Sequence, residues 1–206
     1  MAKFEVCCHR FADLSEYNYG VSIINDGKYG FATVGNVMRL SLLRSPKAPD
    51  GNADMGHHRI RWAIAPHDGG LSSKTVRAAA SFNNPLQLVG MATPFKQSAR
   101  QTLSRLPIEL RGSDNLVLDW IKRGEDDEHI STDSLPKKTG RSIVIRVYDA
   151  LGGTGSGIVY TTYKLEKVNK TNILEDDLEE VIVQDESAFS VHLEPFEVAT
   201  YRLLLR

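Results

Sequence analysis

The chain has 206 residues, of which 41% are hydrophobic, 25% charged and 8% aromatic. That suits one large globular domain or two small ones and excludes disorder, collagen and a disulfide scaffold. Twenty-five Lys and Arg against 26 Asp and Glu leave a formal net charge of -1, so no long-range field draws the molecule to nucleic acid or to an anionic membrane.

No apolar run approaches the roughly 18 residues that a membrane span needs. The start, Met1-Ala2-Lys3-Phe4-Glu5-Val6, lacks the apolar core of a signal peptide, and a cytoplasmic location is expected. The only cysteines, Cys7 and Cys8, are adjacent in a predicted strand, where neighbouring side chains diverge. They should neither pair nor share a metal, and both are read as buried, inert thiols.

In chain order, short stretches rich in Val, Ile, Leu and Tyr between turn residues predict strands over 4–9, 19–24, 30–33, 37–43, 58–66 and 86–91. Asn25-Asp26-Gly27-Lys28 is a tight-turn signal, because Asp-Gly supplies positive φ, and it predicts a hairpin closing near Gly27. Residues 71–81, with Ala78-Ala79-Ala80, allow a helical turn or two, stopped by Asn83-Asn84-Pro85. Residues 93–107 turn Lys/Gln/Ser/Arg-rich and read as a connection, with a domain boundary near Leu106.

The strand pattern restarts over 108–110, 116–123, 142–149, 157–163, 165–169, 181–184, 189–194 and 197–205, about the strand count of an immunoglobulin-sized sandwich. Residues 124–141, containing Glu125-Asp126-Asp127-Glu128, have almost no apolar content and predict a long, mobile loop. The fold expected is all-β. Residues 1–105 form the C-terminal portion of a large β-sandwich, and residues 106–206 a small immunoglobulin-like β-sandwich.

Four constellations carry candidate chemistry. Gly152-Gly153-Thr154-Gly155-Ser156-Gly157 superficially fits a phosphate loop, but the β-forming Ile158-Val159-Tyr160-Thr161 follows where a helix should open. A glycine-rich hairpin turn is the reading taken. His57-His58, with His67 as a third nitrogen, lacks any ligand spacing, so surface or structural roles are expected.

The acidic runs 125–128 and 175–180 read as solvated loops, since glycosidic chemistry needs two separately held carboxyl groups about 5 to 10 Å apart. Most specific is the interleaving of turn, aromatic and basic residues over 9–50, in Asn25-Asp26-Gly27-Lys28-Tyr29-Gly30 and then in residues 39–46. Asp26, Lys28 and Tyr29 at the turn offer a carboxylate, an amine and a phenol, groups that exchange hydrogen bonds with sugar hydroxyls while rings stack on pyranose faces, and Arg44, just where Ser45-Pro46 ends a strand, suits a side chain aimed into a cleft. An ordinary polar turn with a capping Arg is the competing reading.

Those same residues carry a family resemblance. His9-Arg10-Phe11-Ala12-Asp13-Leu14, Asn25-Asp26-Gly27-Lys28-Tyr29-Gly30 and Leu40-Ser41-Leu42-Leu43-Arg44-Ser45-Pro46 resemble the C-terminal region of glycoside hydrolase family 38 α-mannosidases, nearest the cytosolic and fungal vacuolar branch. The likeness continues in order through Trp62-Ala63-Ile64-Ala65-Pro66-His67, Phe82-Asn83-Asn84-Pro85, Arg146-Val147-Tyr148-Asp149, Asn172-Ile173-Leu174-Glu175 and Leu193-Glu194-Pro195-Phe196.

The resemblance implies an enzyme hydrolysing terminal α-mannosyl residues of mannose-containing oligosaccharides, working in the cytoplasm or in the vacuole, with a homo-oligomer allowed in the full-length form. It implies zinc, an aspartate nucleophile and a carboxylic acid/base on an N-terminal barrel that these residues do not match. No catalytic residue and no metal ligand is therefore assigned in this chain, and no cofactor is expected in it. The chain is expected to be an inactive fragment, a truncated gene or a degenerate paralogue. It would supply scaffold and a cleft loop, with Arg44 the aligned sugar-binding arginine and Asp26 and Tyr29 beside it. A non-catalytic carbohydrate-binding or assembly module is the alternative.

Overall fold

Strands dominate the computed structural model, which describes residues 5–88, 107–125 and 141–206. Chain contacts divide it into two units, Met1–Val89 and Gly90–Arg206. The expected boundary near Leu106, residues 89–91 of the last strand expected in the first half, and most of the acidic loop 124–141 lie outside the described residues. Residues 86–88 of that strand are not extended into a sheet.

The first unit contains β1 (Val6–Cys7), β2 (Phe11–Glu16), β3 (Tyr19–Asn25), β4 (Gly30–Val34), β5 (Val37–Leu40), β6 (Trp62–Asp68) and α1 (Ser73–Asn83). Two antiparallel sheets result, ordered β2-β3-β6 and β1-β4-β5. In β3 the two-residue period sends Ser22 and Ile24 to the buried face under α1, and Tyr19, Val21 and Ile23 to the opposite face. α1 turns Thr75, Val76 and Ala79 inward, a face small enough for the helix to lie close to β3. It runs 11 residues, three turns rather than the one or two expected, and ends where Asn84 meets Pro85.

The expected hairpin at Gly27 does not form. The turn itself is there, with Gly27 at φ 73° and the Asn25 Oδ1 accepting the Lys28 N–H at 3.0 Å. β3, however, is already paired on both sides, Ser22 lying opposite Asp13 of β2 and Ala65 of β6. With no free edge on β3, the chain leaves its sheet and β4 pairs with β1 and β5 instead. Cys8 is buried near Asn25, and that burial pushes its thiol pKa up. Cys7 is exposed, not buried as expected, since adjacent strand positions cannot both face one core.

The second unit is a β-sandwich of β7 (Ile108–Gly112), β8 (Leu116–Arg123), β9 (Ser142–Asp149), β10 (Gly155–Thr161), β11 (Leu165–Thr171), β12 (Asp177–Val181), β13 (Val183–Gln184), β14 (Ala188–Leu193) and β15 (Val198–Leu205). Its sheets are ordered β13-β14-β10-β7 and β12-β11-β15-β9-β8. Alternate residues of both meet in one core. Val159, Phe189 and Leu193 come from the four-stranded sheet, and Ile145, Val147, Val168 and Leu203 from the five-stranded one.

Phe189 and Tyr201 touch across that core with ring centroids 5.4 Å apart, and burial pushes the Tyr201 phenol up to about 12. Gly112, at φ 147°, lets β7 turn against β10, where a Cβ would stand 2.4 Å from the Gly157 Cα. The glycine-rich stretch after β9 is a turn, as expected, but not a hairpin. β9 pairs with β8 and β15 and β10 with β7 and β14, so this turn also joins two sheets.

Candidate functional site

Where β3 turns toward β4, the three candidate residues leave one end of the first unit in different environments. Asp26 is held: its Oδ2 accepts from the Arg61 Nε at 2.8 Å and lies 2.7 Å from the Arg61 Nη2. That guanidinium sits 5.2 Å from the Phe82 ring centroid and donates to the Phe82 carbonyl at 3.4 Å. The carboxylate therefore ties the turn to the end of α1. Asn83 reinforces the tie by donating to the Asn25 carbonyl at 3.0 Å.

Tyr29 is exposed, its ring edge-on to His9 at 5.7 Å. Its neighbour Gly30 accepts from the Ser41 N–H at 2.8 Å, which continues the β4–β5 pairing one step past Leu40. Tyr29, one residue before β4, and Arg44, four residues after β5, thus leave the same open end of this sheet. Arg44 stands exposed in the excursion over residues 41–61, after the exposed Leu42 and Leu43. The excursion is fixed by its own side chains. Asp54 accepts from the Ser45 N–H at 3.3 Å and Asp50 from the Asn52 N–H at 2.9 Å, while His58 Nε2 lies 2.7 Å from the Asp54 carbonyl.

His67 does not join His57 and His58. Its Nε2 lies 2.6 Å from Asp13 Oδ2, which also accepts from the Ser22 hydroxyl at 2.5 Å; Ser22 in turn lies 3.5 Å from Thr75 Oγ1. Serine and imidazole both address one carboxylate oxygen, so the imidazole is not placed to take the serine proton and no nucleophile is activated. The cluster fastens β2, β3 and β6 to α1. Sequence reading missed it, because Phe11–Glu16 is too polar to announce a strand with a buried face. His67, weighed only beside His57 and His58, is the one member of the cluster that sequence reading singled out.

The second acidic run is not a solvated loop throughout. Residues 177–181 form the edge strand β12, where Glu180 pairs with Lys167 at 2.9 Å. Glu175 is buried, in ion-pair contact with Lys122, and accepts from the Glu125 N–H at 2.9 Å. Arg202, also buried, donates to the Glu175 carbonyl and pairs with Asp177 at 3.3 Å. These carboxylates anchor a loop on the sheet, which explains why burial was invisible in a charge run: their counter-charges lie far away in sequence.

The sequence profile of the glycosyl hydrolases family 38 C-terminal domain matches residues 1–52, and that of the family 38 C-terminal beta sandwich domain matches residues 115–201. Alpha-mannosidase of Saccharomyces cerevisiae is 46% identical over 98% of this chain and 19% of its own length. Alpha-mannosidase G of Dictyostelium discoideum is 36% identical over 98% of the chain and 18% of its own length, and Alpha-mannosidase 2C1 of Homo sapiens 32% over 100% and 18%. The chain belongs to glycosyl hydrolase family 38.

It corresponds to the C-terminal region of family members and spans about a fifth of the length of these relatives. A family 38 protein from Enterococcus faecalis shares its fold, with a TM-score of 0.64 at 17% identity over 96% of this chain and 22% of that one. Family 38 membership brings the implied zinc to be tested against this chain's own donors. Among the described residues no group of three or more His, Cys, Asp or Glu side chains converges, so they do not fit a zinc site. Among the described residues no helix is long and apolar enough to cross a membrane.

Proposed function

We propose that these residues are the C-terminal β-sandwich portion of an α-mannosidase that hydrolyses terminal α-mannosyl residues in mannose and oligosaccharide catabolism. In this reading they supply scaffold and a cleft loop, while zinc and both catalytic carboxylates are carried outside them. The observation that carries it is the near-complete match of this chain to a fifth of an alpha-mannosidase, at 46% identity. Residues 1–105 act as the end of a larger sandwich and 106–206 as a small closed one.

The excursion over 41–61 supports the cleft-loop role, since it presents Arg44 in the open on a backbone pinned by Asp50 and Asp54. Arg44 would donate a planar fork to sugar hydroxyls and Tyr29 a ring and a hydroxyl. Asp26 would shape that end through Arg61 while its second oxygen stays open to a sugar. The mannosyl substrate would meet this chain only in a cleft shared with the zinc-bearing part, with assembly into a homo-oligomer allowed and the cytoplasm, or the vacuole, as the place of work.

The test is hydrolysis of an aryl α-mannoside with zinc or cobalt. The 206-residue chain should show no turnover above background. In the full-length protein Arg44→Ala should lower kcat/KM by about tenfold or more, the scale of one charge-assisted hydrogen-bond pair. Turnover by the 206 residues alone would sink the reading.

A further inference from the structure

We propose that the outer face of the β13-β14-β10-β7 sheet is a separate, non-catalytic binding site for a neutral oligosaccharide. This goes beyond the scaffold role and stands whether or not that role holds. Strand alternation sends Ser156, Ile158 and Tyr160 outward from β10, Ser190 and His192 outward from β14, and Arg111 outward from β7. Register sets Ser156 opposite His192, and Ile158 between Ser190 and Arg111. Together these six side chains line an open groove of about 600 Å³.

The groove pairs an apolar floor with a hydrogen-bonding rim. Ile158 and the Tyr160 ring, which is 39% exposed, form the floor, and the Arg111 guanidinium lies 5.2 Å from that ring's centroid. Arg111 spends two of its five N–H groups on Glu109, through Nε at 2.9 Å and Nη2 at 2.8 Å, which leaves the others for a ligand. Ser190 accepts from Gln184 at 3.0 Å and so keeps its own hydroxyl hydrogen to give. Ser156 Oγ lies 2.8 Å from His192 Nδ1, while His192 Nε2, 3.8 Å from Glu194, is too far from that carboxylate to be bonded to it.

A pyranose has this same division, a C–H face and a rim of hydroxyls that both donate and accept. Charge selects the same class. Glu109 neutralises the groove's guanidinium and Glu194 stands beside its imidazole, so a phosphate, an acidic peptide or a cation gains no net attraction. Hydrolysis at Ser156 is not supported. Its own N–H is spent on the Ser113 hydroxyl at 3.0 Å, and the β10 ladder runs on both sides, which leaves no pair of N–H groups to hold an oxyanion.

The experiment titrates the full chain with mannotriose and with maltotriose by calorimetry, with and without inorganic phosphate, and repeats it for Tyr160→Ala, Tyr160→Phe, Arg111→Ala and Arg44→Ala, with circular dichroism melts confirming folding. Saturable millimolar binding of either trisaccharide is expected, weakened at least tenfold by Tyr160→Ala and by Arg111→Ala, retained by Tyr160→Phe, and unchanged by inorganic phosphate. No saturable binding, or binding lost with Arg44→Ala but kept with Tyr160→Ala, would overturn it. The second outcome would place recognition in the first unit and leave the scaffold reading standing.

Discussion

The two units are built from similar strands, yet they deal with apolar surface differently. In the second, alternate residues of two sheets meet in a shared core, and Phe189, Ile145, Leu193 and Leu203 are fully buried. In the first, α1 covers only one face of the β2-β3-β6 sheet. The other face carries Leu14, Tyr19, Val21, Ile23 and Ile64 along an open groove of about 670 Å³. A sheet face this apolar is the kind of surface that elsewhere marks an interface. The second unit closes its core from its own residues, whereas among the described residues of the first this groove stays open between one sheet face and Gly35, Asn36 and Met38 of the β4–β5 hairpin.

The sharpest way to probe the closed unit is to cut its core. Phe189→Ala removes a ring with no exposed surface that bridges the sheets through Tyr201. It should cost about 3 to 5 kcal/mol, seen as a lowered midpoint of urea unfolding. A loss below about 1 kcal/mol would mean that this core is not what holds the unit together.

Asp149 should come next. Buried at the end of β9, it accepts from the backbone N–H groups of Gly152 and Phe196, both at 2.7 Å, and of Leu151 at 3.2 Å, and from Asn115 at 2.7 Å. Burial alone would push its pKa up, but the hydrogen bonds from Phe196, Asn115, Leu151 and Gly152 outweigh it and hold the carboxyl below its usual range. The charged form is thus favoured by folding. Its stabilisation is complete above the unfolded value of about 3.9 and drains away as pH falls through the lower folded value. Asp149→Ala should cost about 3 kcal/mol at neutral pH. Asp149→Asn should flatten the acid limb of stability against pH, and an unchanged limb would assign that limb to other carboxylates.

Asp149 also shows where sequence reading reached its limit. Turn chemistry is local, and both turns were legible, Asp26-Gly27 by its dipeptide and 150–155 by its glycines. The strands they join could not be paired from sequence, because pairing depends on which edges are already occupied. β3 lies between β2 and β6, and β9 between β8 and β15, so each turn must carry the chain to a different sheet. β8 and β9 were read to the residue because their apolar alternation is strong.

β2 and β12 were missed for the opposite reason. Their buried or paired positions are polar, and the partners that engage them, His67 for Asp13 and Lys167 for Glu180, are 54 and 13 positions away. Arg44 and Tyr29 could be named as candidates by residue type, but their exposure was visible only in the fold. The engagement of Asp26 by Arg61, 35 positions on, was not.

The smallest expected change in stability is the one that bears most directly on the contrast between the units. Ile64 lies on the open face of β6 and is 59% exposed, so Ile64→Ser removes apolar surface from water without opening a cavity. Stability should stay within about 0.5 kcal/mol of the parent chain, since the side chain gains little from folding. Self-association should fall, measured by light scattering of the 206 residues across a concentration series, because the face loses the apolar area that rewards covering it. A loss comparable to that of Phe189→Ala would mean that this face already packs within the chain, and the contrast between a closed unit and an open one would collapse.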